Sequence, residues 1–373
     1  MLKLIRRILI AVLAIVLPTV LYLHTYHVDR VLAQSPTSVT LLSRTHTIDQ
    51  IYLSMQGPYS NHADIKLIDS SAPQLLWLTG IGVELVGRDG ATPVSKEYFC
   101  HANLVFSPDH MTSQRVNGPF TPSQDQRLFT LIPGRLSLKL PDGFGLPTYS
   151  DEPLDFFSMS LNLNEKEGSR DIRFRTHIDF SLDSSSRQPM HPLFRRALYG
   201  YEPIGKASPH TMCSGGSHPG AACGPFVGKA ASNAFVASLD KTNTIHWLIP
   251  PGDYESHVPV TDQLDLPYDT TVHYVTAHLH PHALSLTLHD MTENKDIFTL
   301  RPTDFQGRTG VDKIEELSLP QGVMVFKDHQ YELVTRYFNP TQSPIDAMSI
   351  LYLYALDKKF EASRQSPAAV AYK

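Results

Sequence analysis

Apolar residues recur along this chain in short runs, many of them alternating with polar positions. From Ser38 to about Asp183 the runs are IDQIYLSM, LLWLTGIGVELVG, FCHANLVF, LFTLI, RLSLKL, FFSMSLNLN and IRFRTHIDFSL. Turn formers separate them, among them QGPYSN, GRDGATP, PDGFGLP and NEKEGSR. Side chains two apart share one face of a strand, so this texture predicts short strands, and no stretch sustains the helical period. The texture resumes at TIHWLIPPG and runs through ESHVPVT, TTVHYVTAHLH, ALSLTLHD, DIFTLRP, GVMVFK, QYELVTRYFN and AMSILYLYAL. The prediction is an all-β protein of two antiparallel β-sandwich, jelly-roll-like domains.

Residues 184 to about 242 break the pattern, being rich in Gly, Ser and Pro, and read as a long connection. The expected boundaries are 35–195 for the first domain, 196–242 for the linker, 243–357 for the second domain and 358–373 for a polar tail that frays. A chain of 373 residues is long enough for two cores. Its net charge of -5 gives no support to a nucleic-acid partner. Residues 1–34 hold Lys3, Arg6 and Arg7, then an apolar run from about Ile8 to Leu23 that carries Pro18. Two readings stand: an export signal with VLA at 31–33 before its cleavage point, or an uncleaved membrane anchor. Both export the bulk of the chain to the periplasm or the extracellular space. An exported chain can keep a disulfide, and Cys213 and Cys223 share one Gly-rich loop where they could pair, leaving Cys100 over.

The densest chemistry is AHLHPHALSL, residues 277–286. On a strand His278 and His280 point the same way, and His282 keeps the parity but follows Pro281. Two readings are open: a solvated strand face, or two imidazoles offered to one metal. Met348 opens an apolar strand after NPTQSP. Alone it reads as core, but beside an H-x-H pair a thioether favours copper in its reduced state. The middle loop adds His210, Cys213, His218 and Cys223, whose spacing matches no standard zinc pattern. His246, His257, His273, His289 and His329 read as ordinary hydrogen-bonded residues. Motifs for a nucleophile elbow, a phosphate loop or HExxH are missing from the sequence.

The order IPPG, TVHYVTAHLH, FKDHQYELVTRYFN, PIDAMSILYLY, over about residues 245–357, resembles the C-terminal domain of the copper type II, ascorbate-dependent monooxygenases. That family includes peptidylglycine α-hydroxylating monooxygenase and dopamine β-monooxygenase. The resemblance implies that His278, His280 and Met348, the last in a D-x-M context, bind an oxygen-activating copper, and that Tyr352 borders its pocket. The first half resembles the family less. FCHANLVF falls where the electron-transfer copper has its histidines, and only His101 matches. Asn162 stands where the third histidine is expected, and asparagine is a poor copper ligand. Thr276 and Ile350 replace residues that hold a peptide substrate in the amidating enzymes, so the substrate, small-molecule or peptide-like, is unspecified.

The resemblance therefore implies an exported copper protein that hydroxylates a C–H bond with O2 and an external reductant such as ascorbate, at a single copper. The alternative is a non-catalytic copper-binding or structural protein on the same scaffold with a degenerate electron-transfer site.

Overall fold

The strands buried on both sides are those whose sequences run apolar without alternation. Leu75–Gly87, Phe99–Phe106, Leu154–Ser160, His191–Tyr199, Thr270–Leu279 and Ser349–Leu356 are covered almost throughout. Tyr331–Asn339 alternates buried and accessible positions, as a strand with one wet face does. These elements belong to a computed structural model that describes residues 29–107, 127–186, 188–208 and 241–365.

One sheet of eleven strands forms the spine. It runs from Arg30–Gln34 through Ser38–Leu42, Arg170–Leu182, Leu75–Gly87, Phe144–Tyr149, His191–Tyr199, Ser349–Leu356 and Thr270–Leu279 to Glu316–Val325, with two short strands attached. A four-stranded sheet belongs to each half: Tyr59–Ile65, Leu154–Ser160, Phe99–Phe106 and Arg127–Leu131 in the first, Gly252–Pro259, Tyr331–Asn339, Ala283–Asp290 and Lys295–Leu300 in the second. Most of the buried apolar side chains of all three sheets make one contiguous cluster. The strand pairs are antiparallel except where His191 and Pro192 lie parallel to Phe144 and Gly145. The fold is thus largely antiparallel, sheet-dominated and jelly-roll-like, as the alternation predicts.

Several expectations change. His191–Tyr199, whose last residues were expected in the connection, is a central strand: it pairs along seven positions with Ser349–Leu356. The tail does not fray from residue 358, because Lys358–Gln365 is a helix. Its Phe360 is buried edge-on against Trp77, with ring centroids 6.1 Å apart. The same helix sends Arg364 over the Trp77 ring and to Asp183, which accepts from the Trp77 indole N–H at 3.0 Å.

The expected disulfide is corrected: no disulfide is found among the described residues, where Cys100 is buried and forms none. Cys213 and Cys223, with His210 and His218, lie outside the described residues. The membrane expectation is corrected in the same terms. Among the described residues no helix is long and apolar enough to cross a membrane, and residues 1–28, on which that reading rested, lie outside them.

Candidate metal centre

Two short strands bring the centre together. Trp247–Ile249 pairs antiparallel with Ile345–Ala347, setting Leu248 opposite Asp346 and Trp247 opposite Ala347. Thr270–Leu279 lies beside Ser349–Leu356, with His278 opposite Ile350 and Leu279 opposite Ser349. His246, His280 and Asp346 thereby converge, each offering a ligand atom within 4.8 Å of the others. The Asp346 carboxylate lies 2.7 Å from His280 Nδ1 and 3.5 Å from His246 Nδ1. The Tyr337 hydroxyl pins the arrangement from behind, accepting from the His280 backbone N–H at 3.1 Å and donating to the Met348 carbonyl at 2.6 Å.

His278 stands next to this group. Its ring is perpendicular to that of His280, with centroids 5.3 Å apart, and the His246 ring lies 5.3 Å from His280 on another side. Neither ring nitrogen of His278 has a hydrogen-bond partner, although the residue is buried. An unsatisfied buried imidazole is costly, and a metal ligand is one role that explains it. Burial, followed by the neighbouring His280, His246 and His101, holds His278 well below its ordinary 6.5. It is therefore neutral, the form a metal requires. Burial pushes the Asp346 carboxyl up, but His280 and His246 outweigh it and hold Asp346 well below the usual carboxylate range.

The centre forms one wall of a cavity of about 270 Å³, which His278, His280, His282 and Asp346 line. The opposite wall comes from the first half of the chain: Leu53, Phe99, Cys100, Leu161 and Leu163. Contacts between the halves hold the rim. Lys96 pairs with Asp312 at 2.8 Å, Arg308 with Glu97 at 2.7 Å, and Asn164 exchanges hydrogen bonds with the Thr309 backbone. The cavity is predominantly apolar with a few polar and charged groups in its walls, the usual make-up of a small-molecule site.

The remaining expected residues fall as follows. Met348 is fully buried in the main apolar cluster and is not among the residues lining the cavity. His101 is buried, with Nδ1 3.3 Å from Cys100 Sγ. With His278, Ile350 and Tyr352 it lines a second, small cavity. Tyr352 lies under the Arg195 guanidinium, 4.6 Å from its ring centroid. Asn162 is committed to a turn, donating to the Gln50 and Glu165 carbonyls and accepting from the Asn164 and Glu165 N–H groups. His282 has a left-handed backbone (φ 71°) and its N–H donates to Asp304. His273 is the ordinary hydrogen-bonded residue expected, between Thr271 and the Leu319 carbonyl.

His246 and the carboxylate of Asp346 are the members that sequence reading passed over. His246 carries no local signal, since its place depends on strands about a hundred residues apart. Asp346 stood in plain view as the first letter of the D-x-M context.

Comparison with known proteins says nothing about the site. No family model matches the chain, and no curated protein matches it. Similar solved structures include the STIV MCP, at 7% identity and a TM-score of 0.33, covering 85% of this chain and 98% of that one. PNGase F from Flavobacterium meningosepticum, a glycosylasparaginase, is similar at 10% identity and a TM-score of 0.35, covering 86% and 96%.

Proposed function

We propose that this chain is a metal-dependent oxidoreductase of the copper monooxygenase type, acting on a small apolar molecule held between two β-sandwiches. The observation that carries the reading is the convergence of His246, His280 and Asp346, with the unpartnered His278 beside them, on the wall of an apolar cavity. The donor set fits a transition-metal ion: imidazole suits copper, iron and zinc, and a carboxylate beside two histidines suits the oxidised more than the reduced copper. Copper bound there would supply one-electron chemistry with O2 and an external reductant such as ascorbate.

The protein's own part is to hold and to exclude. Asp346 fixes the orientation of His280 through Nδ1, as carboxylates do behind metal-bound histidines, or enters the ligand set itself. Tyr337 locks the backbone of His280 to that of Met348. Leu53, Phe99, Leu161 and Leu163 keep water off the reacting end of the substrate. Export, as residues 1–34 imply, would set such a centre in an oxidising compartment.

A second reading has an observation of its own. Asn162 is spent on a turn, so the family's third electron-transfer histidine has no counterpart, which favours a copper-binding protein without turnover. One experiment separates the two. The purified chain is loaded with copper, and metal content and ascorbate-driven oxygen uptake are measured beside His280→Ala and Asp346→Asn. The oxidoreductase reading expects copper-dependent uptake that both substitutions abolish. Copper lost in the variants, with no uptake by the parent, establishes the second reading. Copper retained unchanged in both variants overturns the centre altogether.

A further inference from the structure

Cys100 and His101 are consecutive on one strand, and strict alternation would turn their side chains to opposite faces. A β-bulge prevents this. His101 pairs with Met159, while the next position on that strand, Ser160, pairs with Phe99, so Cys100 is an extra residue in the ladder. A bulge re-aims a side chain, and bulges gather beside functional sites. Here Cys100 Sγ lies 3.3 Å from His101 Nδ1, with both residues buried. A buried cysteine also serves as a plain core filler, so the case rests on what this pair faces.

Cys100 lines the cavity of about 270 Å³, among apolar neighbours that include Phe99, Leu161, Phe305 and Ile345. His278 lines the same cavity, is buried, and has no hydrogen-bond partner at either ring nitrogen. A neutral imidazole has one N–H to donate and one bare nitrogen to accept. The charges nearest the rim are already spent: Lys96 pairs with Asp312 at 2.8 Å and Glu97 with Arg308 at 2.7 Å. The cavity therefore suits an uncharged molecule, apolar except for a hydrogen-bonding group.

We infer that Cys100 is a nucleophile that adds to uncharged α,β-unsaturated carbonyl compounds bound in this cavity, with His101 taking its proton and His278 donating to the carbonyl oxygen. The thiolate is the reactive form of cysteine, and a hydrogen-bonded imidazole is the usual group that generates it. His101 Nδ1 accepts the S–H proton in the tautomer that carries its own proton on Nε2. Cys100 Sγ then forms a bond to the β-carbon of the enone. The electron pair of the C=C bond moves onto the α-carbon and the carbonyl oxygen, where the His278 N–H meets the developing charge. The proton held by His101 returns to the α-carbon. One S–C and one C–H bond replace the S–H bond and the C=C π bond, so no outside oxidant, reductant or leaving group is needed. Acyl transfer would instead need water to release its product, and these walls exclude water. The site goes beyond the metal reading and operates without a metal.

The test treats the full chain, freed of metal with a chelator, with 2-cyclohexen-1-one, and follows the adduct at each cysteine by peptide mass spectrometry. One adduct is expected at Cys100, at a rate that saturates as the reagent concentration rises, because the enone binds before it reacts. His101→Gln and His278→Leu are each expected to lower the limiting rate roughly tenfold or more. In His101→Gln the rate should also keep climbing with pH to about 8.5 and beyond, where an unassisted thiol ionises. A Cys100 left unmodified in the folded chain overturns the inference. So does a rate independent of reagent concentration, which means that the thiol is reached only through unfolding, or a rate strictly proportional to it. A limiting rate unchanged in either histidine variant overturns it equally. Should those variants not fold, Leu163→Trp, which narrows the cavity, decides: a half-saturating concentration equal to the parent's overturns the inference. Since every arm runs without metal, failure of the copper reading leaves these outcomes unchanged.

Discussion

His46 and His278 are both buried imidazoles, and their surroundings give them different work. His46 Nδ1 lies 2.7 Å from the Ser160 hydroxyl, and its ring tilts against Phe174. Burial, then the charges of Arg44 and Arg173, bring its pKa down to about 3. No metal-site residue touches it, so its titration bears on stability alone. The unfolded chain takes up a proton near 6.5 while the folded chain does not until about 3. Stability from this group is therefore complete above 6.5 and declines as pH falls through the interval between the two values. The loss amounts to about 2 kcal/mol between roughly pH 7 and pH 5. His46→Gln keeps a polar group near Ser160 and removes the titration. Urea denaturation at those two pH values is expected to show a loss smaller by about that amount in the variant, and equal losses would refute the assignment.

Strands with both faces buried were legible from their largely apolar runs, and so was one with alternation: LLWLTGIGVELVG and FCHANLVF coincide with Leu75–Gly87 and Phe99–Phe106, and the alternating ALSLTLHD with Ala283–Asp290. The H-x-H pair was legible too, because parity on a strand is local. What escaped depends on partners far along the chain. Trp247–Ile249 is three residues long and followed by two prolines, and only its pairing with Ile345–Ala347 turns His246 into part of a centre. The bulge at Cys100, where His101 pairs with Met159 but Phe99 with Ser160, has no glycine to announce it. His191–Tyr199 was hidden by the Ser- and Pro-rich residues before it. Close approach between elements is equally silent in sequence. Gly57 lies so near the Leu154–Ser160 strand that a Cβ would sit 1.9 Å from the Ser160 carbonyl oxygen, whereas one at Gly205 would meet nothing within 4 Å. Gly57→Ala is expected to lower stability by about 1–3 kcal/mol and Gly205→Ala to change it little. Matching denaturation midpoints for the two variants would refute this account of the contact.

The eleven-stranded sheet gives the two halves of the molecule a shared backbone. Its seam is the His191–Tyr199 strand, bonded parallel to Phe144–Tyr149 on one side and antiparallel to Ser349–Leu356 on the other. Beyond the sheet, the Ile314 N–H donates to the Gly134 carbonyl at 3.0 Å, and Arg135 pairs with Glu316 at 2.8 Å. The helix at the end of the second half sets Phe360 edge-on against Trp77 of the first. Unfolding either half alone would break the seam, uncover Trp77 and open the cavity that both halves line. The halves should therefore lose structure together, even though each has a four-stranded sheet of its own. The chain holds two tryptophans, and they report the halves separately: Trp77 in the first and Trp247 in the second, both fully buried. In Trp77→Phe and Trp247→Phe, the fluorescence of the remaining tryptophan is expected to follow the same thermal transition as the far-ultraviolet circular dichroism of that variant. Comparing two probes within each variant removes the effect of the substitution itself on stability. If fluorescence precedes circular dichroism in one variant and lags it in the other, the halves are separate cooperative units, and the shared sheet does not couple the two walls of the cavity.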